Sequence, residues 1–254
     1  MPTAAYLMTH LSTRCVWIAS DYLILPHRLH RWFALVVSCV IALLIGCFIA
    51  FAFAEKHHLE NAFFYGRLEF SFVDGGYPEL FAYGLELLSC TIFLWVAWAY
   101  HKAHWYAWAG ILFVIFLDDA FKLHETIGHV LGSELGLPSV VSDLIGFAST
   151  GLLSMVFWVL GIRVVKGDDE LCAYFVFTAY FAILIFFGVG VDAMHGLLGS
   201  NTSQTLLTLI EDGGELLMTA VMNLSALGMW LRQRQPMVAD NMPINSIFSK
   251  TVIK

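Results

Sequence analysis

The 254-residue chain is 59% hydrophobic and only 13% charged, with a mean hydropathy of +0.75. One core of this length cannot hide so much apolar surface, so the composition excludes a soluble globular domain and specifies a polytopic membrane protein. Eight acids and Lys122 lie inside apolar segments and carry the whole net charge of −7, while the remaining 12 acids and 12 Lys/Arg balance; no basic stripe is left to bind nucleic acid.

Residues 1–31 carry Arg14, Arg28 and Arg31 and read as a cytoplasmic or interfacial segment. The apolar run that follows, 32–54, is too long for a signal-peptide core and reads as the first transmembrane helix. Five more runs, 78–100, 105–131, 142–162, 171–197 and 205–231, each approach the roughly 20 residues needed to cross about 30 Å of hydrocarbon. They are continuous, without the dyad alternation of a barrel strand, so they read as helices. The expected fold is all-α: six transmembrane helices in one bundle over 32–231, with a cytoplasmic tail at 232–254. Asp74-Gly75-Gly76 turns the chain before Pro78 in the first turn of the second helix. Pro138 closes a later connection, with Ser142 or Asp143 as N-cap of the fourth. The aromatics from Trp95 to Trp108 read as an interfacial belt. Cys15, Cys39, Cys47, Cys90 and Cys172 are scattered singly and read as small buried hydrophobes.

Loop charge sets the orientation. Arg14, Arg28 and Arg31, then Lys102, then Arg163 and Lys166, then Arg232 and Arg234 fall on one side. The other connections are acidic or uncharged. The positive-inside rule therefore puts both termini in the cytoplasm, in a plasma or inner membrane.

Against this frame the acids stand out. A carboxylate at the bilayer centre costs about 2.5–3.5 kcal/mol on insertion scales, so eight of them need protons, partners or metal. At 1.5 Å per residue, Glu86, Asp118, Glu211 and Asp212 fall about 20 Å above the cytoplasmic edge. Glu125, His129, Asp192 and His195 lie higher, so the polar layer occupies the outward half. Asp118, Lys122, Glu125 and His129 share a stripe about 60° wide on a continuous third helix. Asp119 flanks it, and His124 faces largely the other way. Glu211, Asp212 and Glu215 span about 100° of the sixth helix, where Gly213-Gly214 gives close helix contact or room for a ligand. Asp143, Thr150 and Ser154 form a weaker stripe on the fourth. The first helix brings no charge to the layer and reads as peripheral.

Mixed carboxylate and histidine pairs, Glu125-x-x-x-His129 and Asp192-x-x-His195, suit transition-metal ligation from single helices. The expected ligands are Glu86, Asp118, Glu125, His129, Asp192, His195, Glu211 and Glu215, supported from behind by Asp119, Lys122 and Asp212. Iron, manganese or zinc fits such a set. His124-Glu125-Thr126-Ile127-Gly128-His129 is one residue too long for a zinc-protease motif: five residues turn the second histidine about 140° from the first. Haem between His129 and His195 would leave the acids unexplained, and none is expected. The resulting expectation is a membrane-embedded metal-dependent enzyme acting on a lipid-like or apolar substrate, by hydrolysis or di-metal oxygen chemistry. The alternative is a cation- or proton-coupled transporter or channel using the same acids. Membrane lipid is the expected partner; the sequence carries no signal for an oligomeric state.

Overall fold

The computed structural model describes residues 4–24, 27–73, 75–191 and 204–234. Among the described residues, eight α-helices follow in order: α1 (Ala4–Leu23), α2 (Arg28–Lys56), α3 (Tyr77–Ala99), α4 (His104–Phe121), α5 (Leu123–Leu135), α6 (Ser139–Ile162), α7 (Asp168–Ile185) and α8 (Gln204–Arg234). A 3-10 turn at Leu68–Phe70 interrupts the α2–α3 connection, and α7 continues as a π-helical stretch, Phe186–Val191. No strand occurs among the described residues. Among the described residues, five helices are long and apolar enough to cross a membrane: α2, α3, the Leu144–Ile162 part of α6, α7 with its π extension, and α8 from Thr205.

The expected third helix, 105–131, is in fact two. α4 stops at Phe121 because Lys122 adopts the left-handed conformation, φ 50° and ψ 48°. α5 then starts in a new direction and packs along α6. The chain end left open by the break is capped from behind, since the backbone N–H of His124 donates to Asp118 Oδ1 at 2.7 Å. α5 closes on Gly136 at φ +64°, a left-handed C-cap that glycine reaches without strain. α6 begins at Ser139, after Pro138, three residues earlier than Ser142; the Ser142 hydroxyl donates to the Pro138 carbonyl. Pro78 sits in the first turn of α3, where its missing N–H costs no helix bond.

The core lies at the opposite end of the bundle from this break. Phe93 of α3, Trp105 and Trp108 of α4, Tyr174 and Phe177 of α7, and Met222 and Met229 of α8 are buried there together. Phe93 stacks on Trp105 at 5.3 Å and meets Phe177 edge-on at 4.9 Å. Trp105 and Trp108 therefore do not belong to an interfacial belt; their rings fill the space between three helices, while Trp95 and Trp98 remain exposed. α2 packs separately on α8, through Val37, Ile41, Leu216 and Ala220. The N-terminal segment contains a helix that sequence patterning misses. α1 rests on α7 and α8, held by Arg14–Asp169 at 2.8 Å, an Asp21–Arg232 ion pair, and Tyr22 stacked on Phe177.

Candidate functional site

At the end of the bundle away from the tryptophan core, α3, α4, α6, α7 and α8 separate around a cavity of about 550 Å³. That volume is in the usual range for small-molecule sites. Its walls are partly apolar, with Phe72, Phe147, Phe181 and Leu184, and partly acidic.

The acids come from four elements. α3 contributes Glu79 and Glu86, α4 Asp118 and Asp119, α5 Glu125, and α8 Glu211, Asp212 and Glu215. Glu86 is only 3% exposed, and its Oε2 has no hydrogen-bond partner. Its carboxyl group pairs with that of Asp119. Two carboxyl groups bond each other only through a shared proton, because an ionised carboxylate has no donor. Tyr83 fixes the backbone here by donating to the Asp119 carbonyl at 2.9 Å. One turn further into the bundle, Asn223 of α8 donates to the Leu85 carbonyl at 3.0 Å and to Ser89 Oγ at 2.9 Å, so α3 and α8 are bolted together beneath Glu86. Glu215 lies against Gly188 of the π stretch so closely that a Cβ there would overlap its carboxylate. Across the same contact, a Cβ at Gly214 would overlap the Phe187 ring.

The break after α4 determines what the cavity receives from the α4–α5 region. In a continuous helix His124 would face away from Asp118. The left-handed Lys122 folds it back, and His124 Nδ1 lies 3.1 Å from Asp118 Oδ1. The imidazole stacks on Phe147 of α6, with ring centroids 4.1 Å apart and planes within 15°. This approach depends on Gly146, where a Cβ would collide with the His124 carbonyl. Lys122 and Glu125 form a loose ion pair at 4.0 Å beside it.

Of the eight expected ligands, Glu86, Asp118, Glu125, Glu211 and Glu215 line the cavity, as do the three supporting residues Asp119, Lys122 and Asp212. His129 does not; it is exposed on α5, beyond the change of direction. Asp192 and His195 lie outside the described residues, as does the side chain of Asp143. Thr150 and Ser154 of α6 line the cavity as their spacing suggested. His124 and Glu79 are additions. Nothing in the pattern pointed to His124, because an i, i+6 pair meets only when the helix between is broken. Among the described residues, no three His, Cys, Asp or Glu side chains already stand as a metal-binding group.

Residues 40–230 match the family model of a domain of unknown function, DUF8692, which spans well over half of the chain. The chain belongs to that family. The match runs from the middle of α2 almost to the end of α8, so it takes in every element that lines the cavity and leaves out α1. No curated protein and no solved structure matches the chain.

Proposed function

We propose that this DUF8692 protein is a membrane-embedded, metal-dependent enzyme acting on a lipid-like or apolar substrate. The observation that carries the reading is Glu86: a carboxyl group buried to 3% exposure, with an oxygen lacking any partner, in a cavity that other helices also line with acids. A buried unpaired oxygen of this kind is costly in a purely structural role and suits a bound cation. Iron, manganese or zinc, held by Glu86, Asp119, Glu211, Asp212 and Glu215, would polarise a substrate or activate water there. Asp192 and His195 are the remaining candidates to complete the set. The apolar walls offer a surface for a hydrocarbon chain. In this reading α2, α3, α4, α6, α7 and α8 all span the membrane, both termini are cytoplasmic, and the cavity opens in the outward half of a plasma or inner membrane.

Metal analysis of the full chain purified in detergent tests this. We expect about one or two tightly held transition-metal ions per chain, lost in the Glu86→Gln/Glu215→Gln double variant. A metal-free protein that carries protons or cations across liposomes would replace the enzyme with a transporter. One observation favours that second reading: Ser89, Asn223 and Ser225 are fully buried polar side chains beyond Glu86, in the direction a transport path would take.

A further inference from the structure

The five cysteines are scattered along the chain, and the fold brings two of them together. Cys15 of α1 and Cys172 of α7 are both free thiols, and one donates a hydrogen bond to the other. The contact sits inside a seam between the two helices. On one side of it Arg14 meets Asp169 at 2.8 Å, and on the other Tyr22 stacks on Phe177 with ring centroids 6.5 Å apart. Residue number rises along both helices from each contact to the next, so the register of α1 on α7 holds the two sulfurs in place. The two thiols differ in access. Cys172 is 0% exposed, whereas Cys15 is half-buried and open to small molecules. Elsewhere the cysteines are used differently: Cys90 donates to the Ala109 carbonyl at 3.4 Å, and Cys39 is exposed on α2.

We propose that Cys15 and Cys172 form a redox latch: a pair of thiols at rest that a hydroperoxide converts to a disulfide pinning α1 to α7. The proposed topology puts the pair at the cytoplasmic face, where thiols are kept reduced, so the open state is the resting one. Burial sets the order of events. The Cys15 sulfur attacks the peroxide, the O–O bond breaks, and Cys15 becomes a sulfenic acid as an alcohol or water departs. The Cys172 sulfur then bonds to the Cys15 sulfur, and the hydroxyl leaves as water with the proton of the Cys172 thiol. The two thiols have lost two electrons and the peroxide has gained them. A small dithiol reverses the link by exchange. The latch joins a helix outside the family match to one inside it, and it uses no residue of the cavity.

The test uses the full chain in lipid nanodiscs, fully reduced, treated with hydrogen peroxide, alkylated and digested without reductant. Mass spectrometry should find a peptide pair joined through Cys15 and Cys172, absent from Cys15→Ser and returned to free thiols by dithiothreitol. Cys172→Ser leaves no resolving thiol, so Cys15 should accumulate as the sulfenic acid and be captured by dimedone. Hydrogen exchange then reads the latch itself. In the linked form the amides of α1 should exchange at least about tenfold more slowly, with those of α5 unchanged. Two results overturn the proposal at its chemistry: both cysteines remain free thiols under peroxide, or Cys15 proceeds to the sulfinic acid beside an unreacted Cys172. A disulfide that forms but leaves the exchange of α1 as it was in the reduced protein overturns it as a latch. Metal content does not enter these readouts, so the reading of the cavity stands or falls separately.

Discussion

Glu86 and Gly214 separate the demands of folding from those of the site. Glu86→Gln keeps the size of the side chain and can still donate a hydrogen bond to Asp119, but it removes the charge that a cation needs. We expect the unfolding free energy to change by less than about 1 kcal/mol and bound transition metal to fall at least about tenfold. Fluorimetric melting alongside metal analysis measures both, and a large loss of stability with full metal retention would make Glu86 a structural residue. Gly214→Ala should do the opposite. The added methyl meets the rigid Phe187 ring, so overpacking should cost about 1–3 kcal/mol. Gly84→Ala on α3 is the matched control: nothing lies within 4 Å of the added atom, and exchange of glycine for alanine in a helix interior should leave stability unchanged or raise it by up to about 1 kcal/mol.

At the scale of the elements, the junction of α4 and α5 decides the site. A lysine in the left-handed region stores about 1–2 kcal/mol of strain, and such strain clusters where a site needs an unusual backbone. Lys122→Gly should relieve it and raise stability by up to about 1 kcal/mol, whereas Lys122→Val, β-branched in the same conformation, should lower it. Thermal unfolding of the two variants in detergent gives the sign directly. If Lys122→Val were the more stable, α4 and α5 would form one continuous helix. The same junction explains why the site was only partly legible. Asp118, Lys122, Glu125 and His129 satisfy i, i+4, i+7, i+11, which is what a single helix would show, and lysine is not a residue that announces a turn. The acids of α3 and α8 were legible because those helices are unbroken where the acids lie, so spacing along the chain converts faithfully into position around the axis. His124 and His129 exchange prominence for the same reason: the break brings the first onto Asp118 and carries the second away.

At the scale of the whole molecule, apolar run length finds most of the helices to within a few residues. The run at 32–54 becomes Arg28–Lys56, and 78–100 becomes Tyr77–Ala99. Length and hydropathy report the cost of exposing backbone to hydrocarbon, which tertiary contacts do not alter. They are silent on α1, whose mixed composition gives no such signal and whose place is set by contacts with distant segments, Asp169 and Arg232. They also misplace Trp105 and Trp108, because an aromatic near a helix end reads the same whether it faces headgroups or other helices. The proposed topology makes a prediction at this scale. Reporter fusions after residue 66 should register outside the membrane, and fusions after 102 and 166 in the cytoplasm. If positions 66 and 102 registered on the same side, α3 would not cross and the outward location of the cavity would fall.

The contact between α7 and α8 is reciprocal. Each helix offers a glycine where the other offers a large side chain, Gly188 to Glu215 and Gly214 to Phe187. The crossing of α7 and α8 is therefore a fit of shapes, glycine against side chain on both faces. Divergence within the DUF8692 family should carry the imprint: a member that replaces the acid at 215 with a smaller residue loses the reason for glycine at 188, and one that shortens the side chain at 187 loses it for glycine at 214. The four positions should drift as two linked pairs, so that the history of substitutions in the family would record a fit that no single position reveals.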